Sequence, residues 1–172
     1  EKTISCASHL ILPGVGSFRK AIEVLKRKNL FNLIISLAKN KKKILGICLG
    51  FQLLGKSSNE DGNTDGLGLI DLDVRKFTSI ELQNNKIPHI GFNEVILPEK
   101  SKLFEGLKNK TDFYFVHSFK FPIPKDQSNI SICHHGVDFM ASYERENIFG
   151  VQFHPEKSQT NGLKVLSNFL KI

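Results

Sequence analysis

The sequence predicts an α/β protein: an open, mostly parallel mixed sheet flanked by helices, with an antiparallel extension. Three observations carry this. Between Leu10 and Leu54, short apolar runs alternate with stretches whose apolar residues recur every three or four positions, as when strands and helices take turns. From Leu67 the texture changes to short runs of alternating character separated by turn residues, which reads as hairpins. Leu163, Leu166, Phe169 and Leu170 then make a closing amphipathic helix.

Taken in order, Leu10-Ile11-Leu12 is a buried strand that runs into Pro13-Gly14-Val15-Gly16-Ser17. The two glycines of this loop let its backbone present N–H groups inward and reorient a peptide at little cost. Ser17 is placed to cap a helix bearing Phe18, Ala21, Ile22 and Leu25, and a second helix bears Phe31, Ile34, Ile35 and Ala38. Lys39 and Lys41-Lys42-Lys43 suit the negative end of that second helix. A strand at 44–48 follows, and it passes straight into a helix. Residues 57–66 form a polar loop that contains Glu60. Alternating runs at 74–77, 87–97, 113–121 and 130–143 supply the antiparallel part, with one turn near His135-Gly136. Cys133-His134-His135 has the residue types of a metal cluster, but adjacent strand residues point to opposite faces, so a surface hairpin is the expectation.

The strand-to-helix junction is Gly46-Ile47-Cys48-Leu49-Gly50-Phe51-Gln52, the pattern of a nucleophile elbow. Glycines two positions either side of Cys48 let the chain turn sharply and let a substrate approach, and the start of a helix favours thiolate over thiol. A buried structural cysteine would fit the same residues. Gly150-Val151-Gln152-Phe153-His154-Pro155-Glu156 supplies the partners. In extended backbone the side chains at i and i+2 share a side, so Glu156 can reach the imidazole of His154 and fix its tautomer. A cysteine, a histidine to take its proton and a carboxylate to orient the histidine make the triad logic of acyl transfer. A metal site would need three or four ligands at short spacing, and none accompanies this pair.

The chain has 172 residues and 40% hydrophobic content, which fits one domain with a sizeable core, spanning 1–172. Its net charge of +7 invites a nucleic-acid reading, yet the lysines are mostly dispersed and no basic run interleaves with aromatics. Neither nucleic acid nor membrane is therefore an expected partner, and no apolar run approaches the roughly 20 residues of a membrane span. An acidic protein partner would use the same charge. Cys6, Cys48 and Cys133 are an odd count without framework spacing, which points to a reducing compartment, the cytoplasm. Glu1-Lys2-Thr3 is neither a signal peptide nor a start methionine, so the expectation is an N-terminally incomplete domain.

These residues resemble the class I (triad) glutamine amidotransferases. Gly46 to Gln52 resembles their nucleophile motif and His154-Pro155-Glu156 their His-x-Glu pair. Pro13-Gly14-Val15-Gly16-Ser17-Phe18, Pro88-His89-Ile90-Gly91-Phe92-Asn93, Phe115-Val116-His117-Ser118-Phe119 and the Gly150 to Ser158 stretch together resemble the glutaminase subunits that serve imidazole glycerol phosphate synthesis. The resemblance implies a Cys48, His154, Glu156 triad that hydrolyses L-glutamine to glutamate and ammonia, without cofactor or metal. It implies an oxyanion hole from Leu49 N–H and the Val15-Gly16 loop, where a peptide near Val15 flips before it can donate. It implies glutamine binding by Gly14, Gln52, Glu60, His117 and Ser118, with an ammonia exit and partner contact at Pro88, His89, Phe92 and Lys157. The implied partner is a (β/α)8 cyclase subunit in a heterodimer of histidine biosynthesis. Two departures stand out. The family usually opens with a further strand and helix, which this chain lacks. Phe92 stands where the histidine-pathway subunits usually carry tryptophan, and relatives that supply ammonia to a sugar amidotransferase in surface-polysaccharide synthesis more often vary there, so the same glutaminase chemistry in that pathway is the alternative expectation. A cysteine peptidase or γ-glutamyl hydrolase, a degenerate amidotransferase-like binding module and a basic nucleic-acid binder are the rival expectations.

Overall fold

The computed structural model describes residues 4, 6–82 and 85–172, and the opening Glu1-Lys2-Thr3 lies outside them. The chain begins with strand β1 (His9–Leu12), helices α1 (Phe18–Arg27) and α2 (Leu30–Lys39), strand β2 (Lys43–Ile47) and helix α3 (Leu49–Leu53). Short strands β3 (Ser57–Ser58), β4 (Thr64–Asp65) and β5 (Asp73–Lys76) and helix α4 (Ser79–Leu82) follow. Strands β6 (His89–Ile96), β7 (Lys110–His117), β8 (Phe119–Lys120), β9 (Ile130–His135), β10 (Val137–Arg145) and β11 (Ile148–Val151) precede a 3₁₀ turn (Pro155–Lys157) and helix α5 (Gln159–Phe169).

Seven strands form one mixed sheet in the order β1-β2-β11-β10-β9-β6-β7. β2 runs parallel to both β1 and β11, whereas the pairs from β11 through β7 are antiparallel. The mixed α/β sheet with an antiparallel extension read from the sequence is the fold, but the sheet is not mostly parallel: among the described residues two of its strand pairs are parallel and four antiparallel, because the consecutive strands β6-β7, β9-β10 and β10-β11 pair directly with one another. A lesser sheet, β4-β3-β5-β8, uses residues from the stretch read as a polar loop.

β2 lies between parallel neighbours and is buried on both faces, as such a strand must be. Ile44 joins a core made with Phe18, Ile22, Ile34 and Phe51, while Leu45 and Ile47 join the opposite core with Phe149, Val165 and Phe169. The closing helix departs from its predicted face. Leu163 and Leu170 are 63% and 62% exposed, and Gly162, Val165, Asn168 and Phe169 point inward. Asn168 donates to the carbonyls of Leu103 and Glu105 at 3.0 and 2.9 Å, so a hydrogen-bonded polar residue sets the buried face. The lysines also do something other than predicted. Lys41 pairs with Glu146, Lys42 donates to the Ala7 carbonyl and Lys43 to the Ile172 carbonyl, so three of them tie neighbouring segments together. Lys39 alone sits in the last turn of α2.

Candidate active site

Cys48 occupies the turn between β2 and α3 with φ 52° and ψ −111°, a sparsely populated region for a residue with a side chain. Holding it there costs on the order of 1–3 kcal/mol. The surroundings supply it: Cys48 N–H donates to Val151 O at 2.8 Å, and Gln52 N–H returns to Cys48 O at 3.1 Å. The flanking glycines are required by contact. A Cβ on Gly46 would lie 2.6 Å from Phe51 Cα, and one on Gly50 would lie 1.7 Å from Leu12 O. The elbow read from Gly-x-Cys-x-Gly is therefore a packing constraint between β1, β2 and α3.

His154 follows β11 in extended conformation, and the turn Pro155–Lys157 places Glu156 beside it. The sequence argument reached the right pair through the wrong backbone, since a 3₁₀ turn makes the approach. His154 Nδ1–H donates to Glu156 Oε1 at 2.7 Å, because a carboxylate can only accept. That tautomer leaves a lone pair on Nε2, which is buried and has no hydrogen-bond partner among the described residues. The backbone is fixed as well. His154 N–H donates to Tyr114 O at 2.8 Å, Ser158 Oγ–H donates to His154 O at 2.7 Å, and Tyr114 N–H donates to that same Oγ at 2.9 Å.

Tyr114 belongs to β7, which ends the sheet. Antiparallel strands direct alternate residues' N–H and C=O groups to opposite edges. On the free edge, Asp112 O accepts from Asn161 Nδ2, Tyr114 pairs with His154 and Ser158, and Val116 O faces Cys48 Sγ at 3.8 Å. The site is thus assembled along an unpaired sheet edge. The thiol rests on the Val116 carbonyl, and burial pushes its pKa up to about 11, opposed by the Leu49 N–H; the nearby Glu156 charge adds to the rise, while Lys157 and Gln152 counter it.

A cavity of about 320 Å³ opens over the sulfur. Of the residues singled out in the sequence it gathers Val15, Gly16, Cys48, Leu49, Gln52, Glu60, Pro88, His117, Ser118 and His154. Gly14 is absent from it and packs behind, where its Cβ position is 3.2 Å from Leu49 Cβ. The loop wall is open: Val15 is 86% exposed, and Gly16, at φ +106°, has nothing within 4 Å of a built Cβ. Ser17 begins α1 without using its hydroxyl. Glu60 Oε2 accepts the Phe18 N–H at 2.8 Å instead, so the carboxylate on the pocket wall also anchors the loop's far end.

Two hydrogen-bond ladders start from the Phe119 carbonyl, which can only accept. In one, His117 Nδ1–H donates to it at 2.8 Å, so His117 Nε2 accepts from His89 Nδ1–H at 3.0 Å and His89 Nε2 accepts from Asn93 Nδ2 at 3.2 Å. Both rings are neutral: burial, with a lesser contribution from the neighbouring histidines, pushes each pKa down to about 3. His117 therefore has no ring nitrogen left for a substrate. In the other ladder Gln52 Nε2 donates to Phe119 O and to Gln152 Oε1, both at 3.0 Å. With both amide protons committed, Gln52 can offer the cavity only its oxygen.

His89 lies behind the cavity, stacked on His135 at 4.1 Å, while Phe92 is exposed on the outer face of β6 and meets Tyr114 edge-on at 5.5 Å. Lys157 Nζ lies 5.6 Å from the centre of that tyrosine ring. His134 is exposed and pairs with Asp138 at 2.6 Å, as the hairpin reading of 133–135 requires. Among the described residues no group of three or more His, Cys, Asp or Glu side chains could hold a metal ion, and no helix is long and apolar enough to cross a membrane. Sequence reasoning missed Val116, Gln152 and Ser158. A signal existed for Gln152, two positions before His154 and polar within an apolar strand end.

The profile of the family described as glutamine amidotransferase class-I matches residues 1–172. The chain is 45% identical over 176 residues to the imidazole glycerol phosphate synthase subunit HisH of Pelagibacter ubique, covering 98% of this chain and 82% of that one. It is 42% identical to the subunit of that name in Escherichia coli strain K12, with 96% and 81% covered. Solved structures match at lower identity. One titled as a glutamine amidotransferase has a TM-score of 0.68 at 15% identity, covering 95% of this chain and 78% of that one. PurLQS from Thermotoga maritima gives 0.64 at 19%, with 94% and 78% covered.

Proposed function

The chain belongs to the class I glutamine amidotransferase family, and on that footing we propose that it is a glutaminase subunit working through Cys48, His154 and Glu156. One observation carries the reading: a buried imidazole, held at Nδ1 by a carboxylate and left unpartnered at Nε2, lines the same cavity as a cysteine on strained backbone. His154 Nε2 takes the thiol proton, and the thiolate adds to the side-chain carboxamide carbon of L-glutamine. Leu49 N–H receives the oxyanion, and a peptide of the Val15-Gly16 loop supplies a second donor, each worth about 3 kcal/mol in transition-state stabilisation. His154 returns the proton to the leaving ammonia, and water then cleaves the thioester to glutamate with His154 as base.

The committed protons of Gln52 support one part for it. Its oxygen accepts from the substrate α-ammonium, together with the Glu60 oxygen not held by Phe18. His117 shapes the wall through its ring and Ser118 offers main-chain groups. Gly14 supports the loop from behind. Ammonia leaves past Pro88 and His89. Neutral histidines suit that passage, since a protonated one could turn ammonia into ammonium, which is no nucleophile.

The partner is inferred to be the cyclase subunit of imidazole glycerol phosphate synthase, as the names of the relatives suggest. The outer face of β6 and β7 fits the contact: Ile90 and Phe92 lie across from Val116 and Tyr114, next to Lys157. The relatives compared above favour histidine biosynthesis over sugar amidation despite Phe92. Glutamate release from glutamine, with and without a histidine-pathway cyclase and its bound ligand, tests this. Strong stimulation by the liganded cyclase is expected. Glutamate release that no liganded cyclase stimulates would remove the pathway, and a Cys48 inert to a glutamine-analogue label would remove the chemistry.

A further inference from the structure

Gln152 is 0% exposed, sits on the segment between β11 and His154, and has no part in the triad. A carboxamide buried this deeply is kept where it is by its hydrogen bonds. Its main-chain N–H is spent on Ala141 O at 2.8 Å, and its side chain reaches Cys48, with Nε2 3.8 Å from Sγ. Which end of the amide faces the sulfur follows from the Phe119 carbonyl. That oxygen only accepts, so Gln52 must turn Nε2 toward it, and the same nitrogen donates to Gln152 Oε1. Gln152 Oε1 is thereby an acceptor, and its N–H must point at the sulfur. Two amides in series carry the direction of one backbone carbonyl to the reacting atom.

We propose that Gln152 takes part in the glutaminase reaction by donating a hydrogen bond to the Cys48 sulfur as it becomes a thiolate, with Gln52 as the positioning residue that keeps the amide turned the right way. This rests on Cys48 being the nucleophile. The resting thiol shares its surroundings between Val116 O, which suits the neutral S–H, and the N–H groups of Gln152 and Leu49, which suit the anion. When the proton passes from Sγ to His154 Nε2, the electron pair stays on sulfur and the carbonyl contact turns repulsive. The Gln152 contact becomes a charge-assisted hydrogen bond. Glu156 opposes the anion and Lys157 favours it, so Gln152 adds a neutral donor whose effect salt does not screen away. Gln52 thereby has two duties, one toward glutamine and one toward the thiolate.

The test is the pH dependence of Cys48 alkylation by iodoacetamide, followed at that cysteine by peptide mass spectrometry, in the chain and in Gln152→Met. Methionine keeps length and apolar volume and leaves Gln52 bonded to Phe119. The midpoint is expected to rise by about one pH unit and alkylation near neutrality to slow by about tenfold, since hydrogen bonds to charged groups are of that strength. For glutamine, kcat should fall while KM holds. A folded Gln152→Met chain with an unchanged midpoint overturns the proposal. If that variant does not fold, Gln152→Asn, whose amide stops one methylene short, is held to the same outcomes, and failure of both to fold makes the residue structural only and overturns it too. Alkylation needs no glutamine, so a Cys48 that titrates as expected but ignores a glutamine analogue would sink the glutaminase reading and leave the thiolate contact standing.

Discussion

The two walls that face Cys48 are built to opposite tolerances. His154 is pinned by its own N–H, its carbonyl and its Nδ1, to Tyr114, Ser158 and Glu156 in turn. The Val15-Gly16 wall has an exposed valine and a glycine with empty space around it, and is secured at its far end by Glu60 on the Phe18 N–H. A base must be aimed before substrate arrives, whereas an oxyanion donor that is to be withheld needs room to move. Rigidity and slack are therefore divided between the two walls, and any gating of turnover belongs to the slack one.

The most drastic way to break this comparison is to remove what lies between the walls. Cys48→Ala should lower glutamate release by about four orders of magnitude or more while leaving partner binding intact. Turnover surviving in that variant would mean that neither wall serves this sulfur. Next in size is Gly16→Val, which puts a β-branched side chain at a positive φ. It should cut kcat about a hundredfold, as loss of one oxyanion donor does, without altering the rate of Cys48 alkylation. If alkylation slowed in step, the walls would not be separable. Ser158→Ala attacks the rigid side and strands the Tyr114 N–H. Chemical denaturation should show a loss of about 1–3 kcal/mol, with a modest fall in kcat. Unchanged stability would show that the base needs no such clamp.

A further effect is in acid. His89 and His117 have pKa values of about 3 in the fold against an ordinary 6.5. The unfolded chain binds more protons between those values, so the stability they confer is complete above about 6.5 and fades as pH falls toward about 3. Urea midpoints measured from neutrality downward should fall, and His89→Gln should flatten that limb. A limb of unchanged slope would place the acid sensitivity elsewhere.

How much of this was legible depends on how local the cause is. Cys48, with its two glycines, and the turn at His135-Gly136 are dictated by a few adjacent residues, and both were readable. His154 and Glu156 were paired correctly because two residues apart is close enough for either an extended chain or a 3₁₀ turn. Gln152 was overlooked because its meaning comes from Gln52, a hundred positions away, and from one carbonyl between them. The inward face of α5 failed for a related reason: Asn168 is bonded to carbonyls on a distant loop, which hydrophobic periodicity does not register. Lys41, Lys42 and Lys43 misled because a cation beside a helix end has several carbonyls and carboxylates within reach.

The free edge of β7 has a further consequence, for solubility. An uncovered edge strand is a template on which other chains can pair and aggregate. Here Asn161, Ser158, His154 and Cys48 occupy its outward groups, so the residues around the candidate site double as the seal on the sheet, and lesions that loosen the site should make the protein sticky as well as slow.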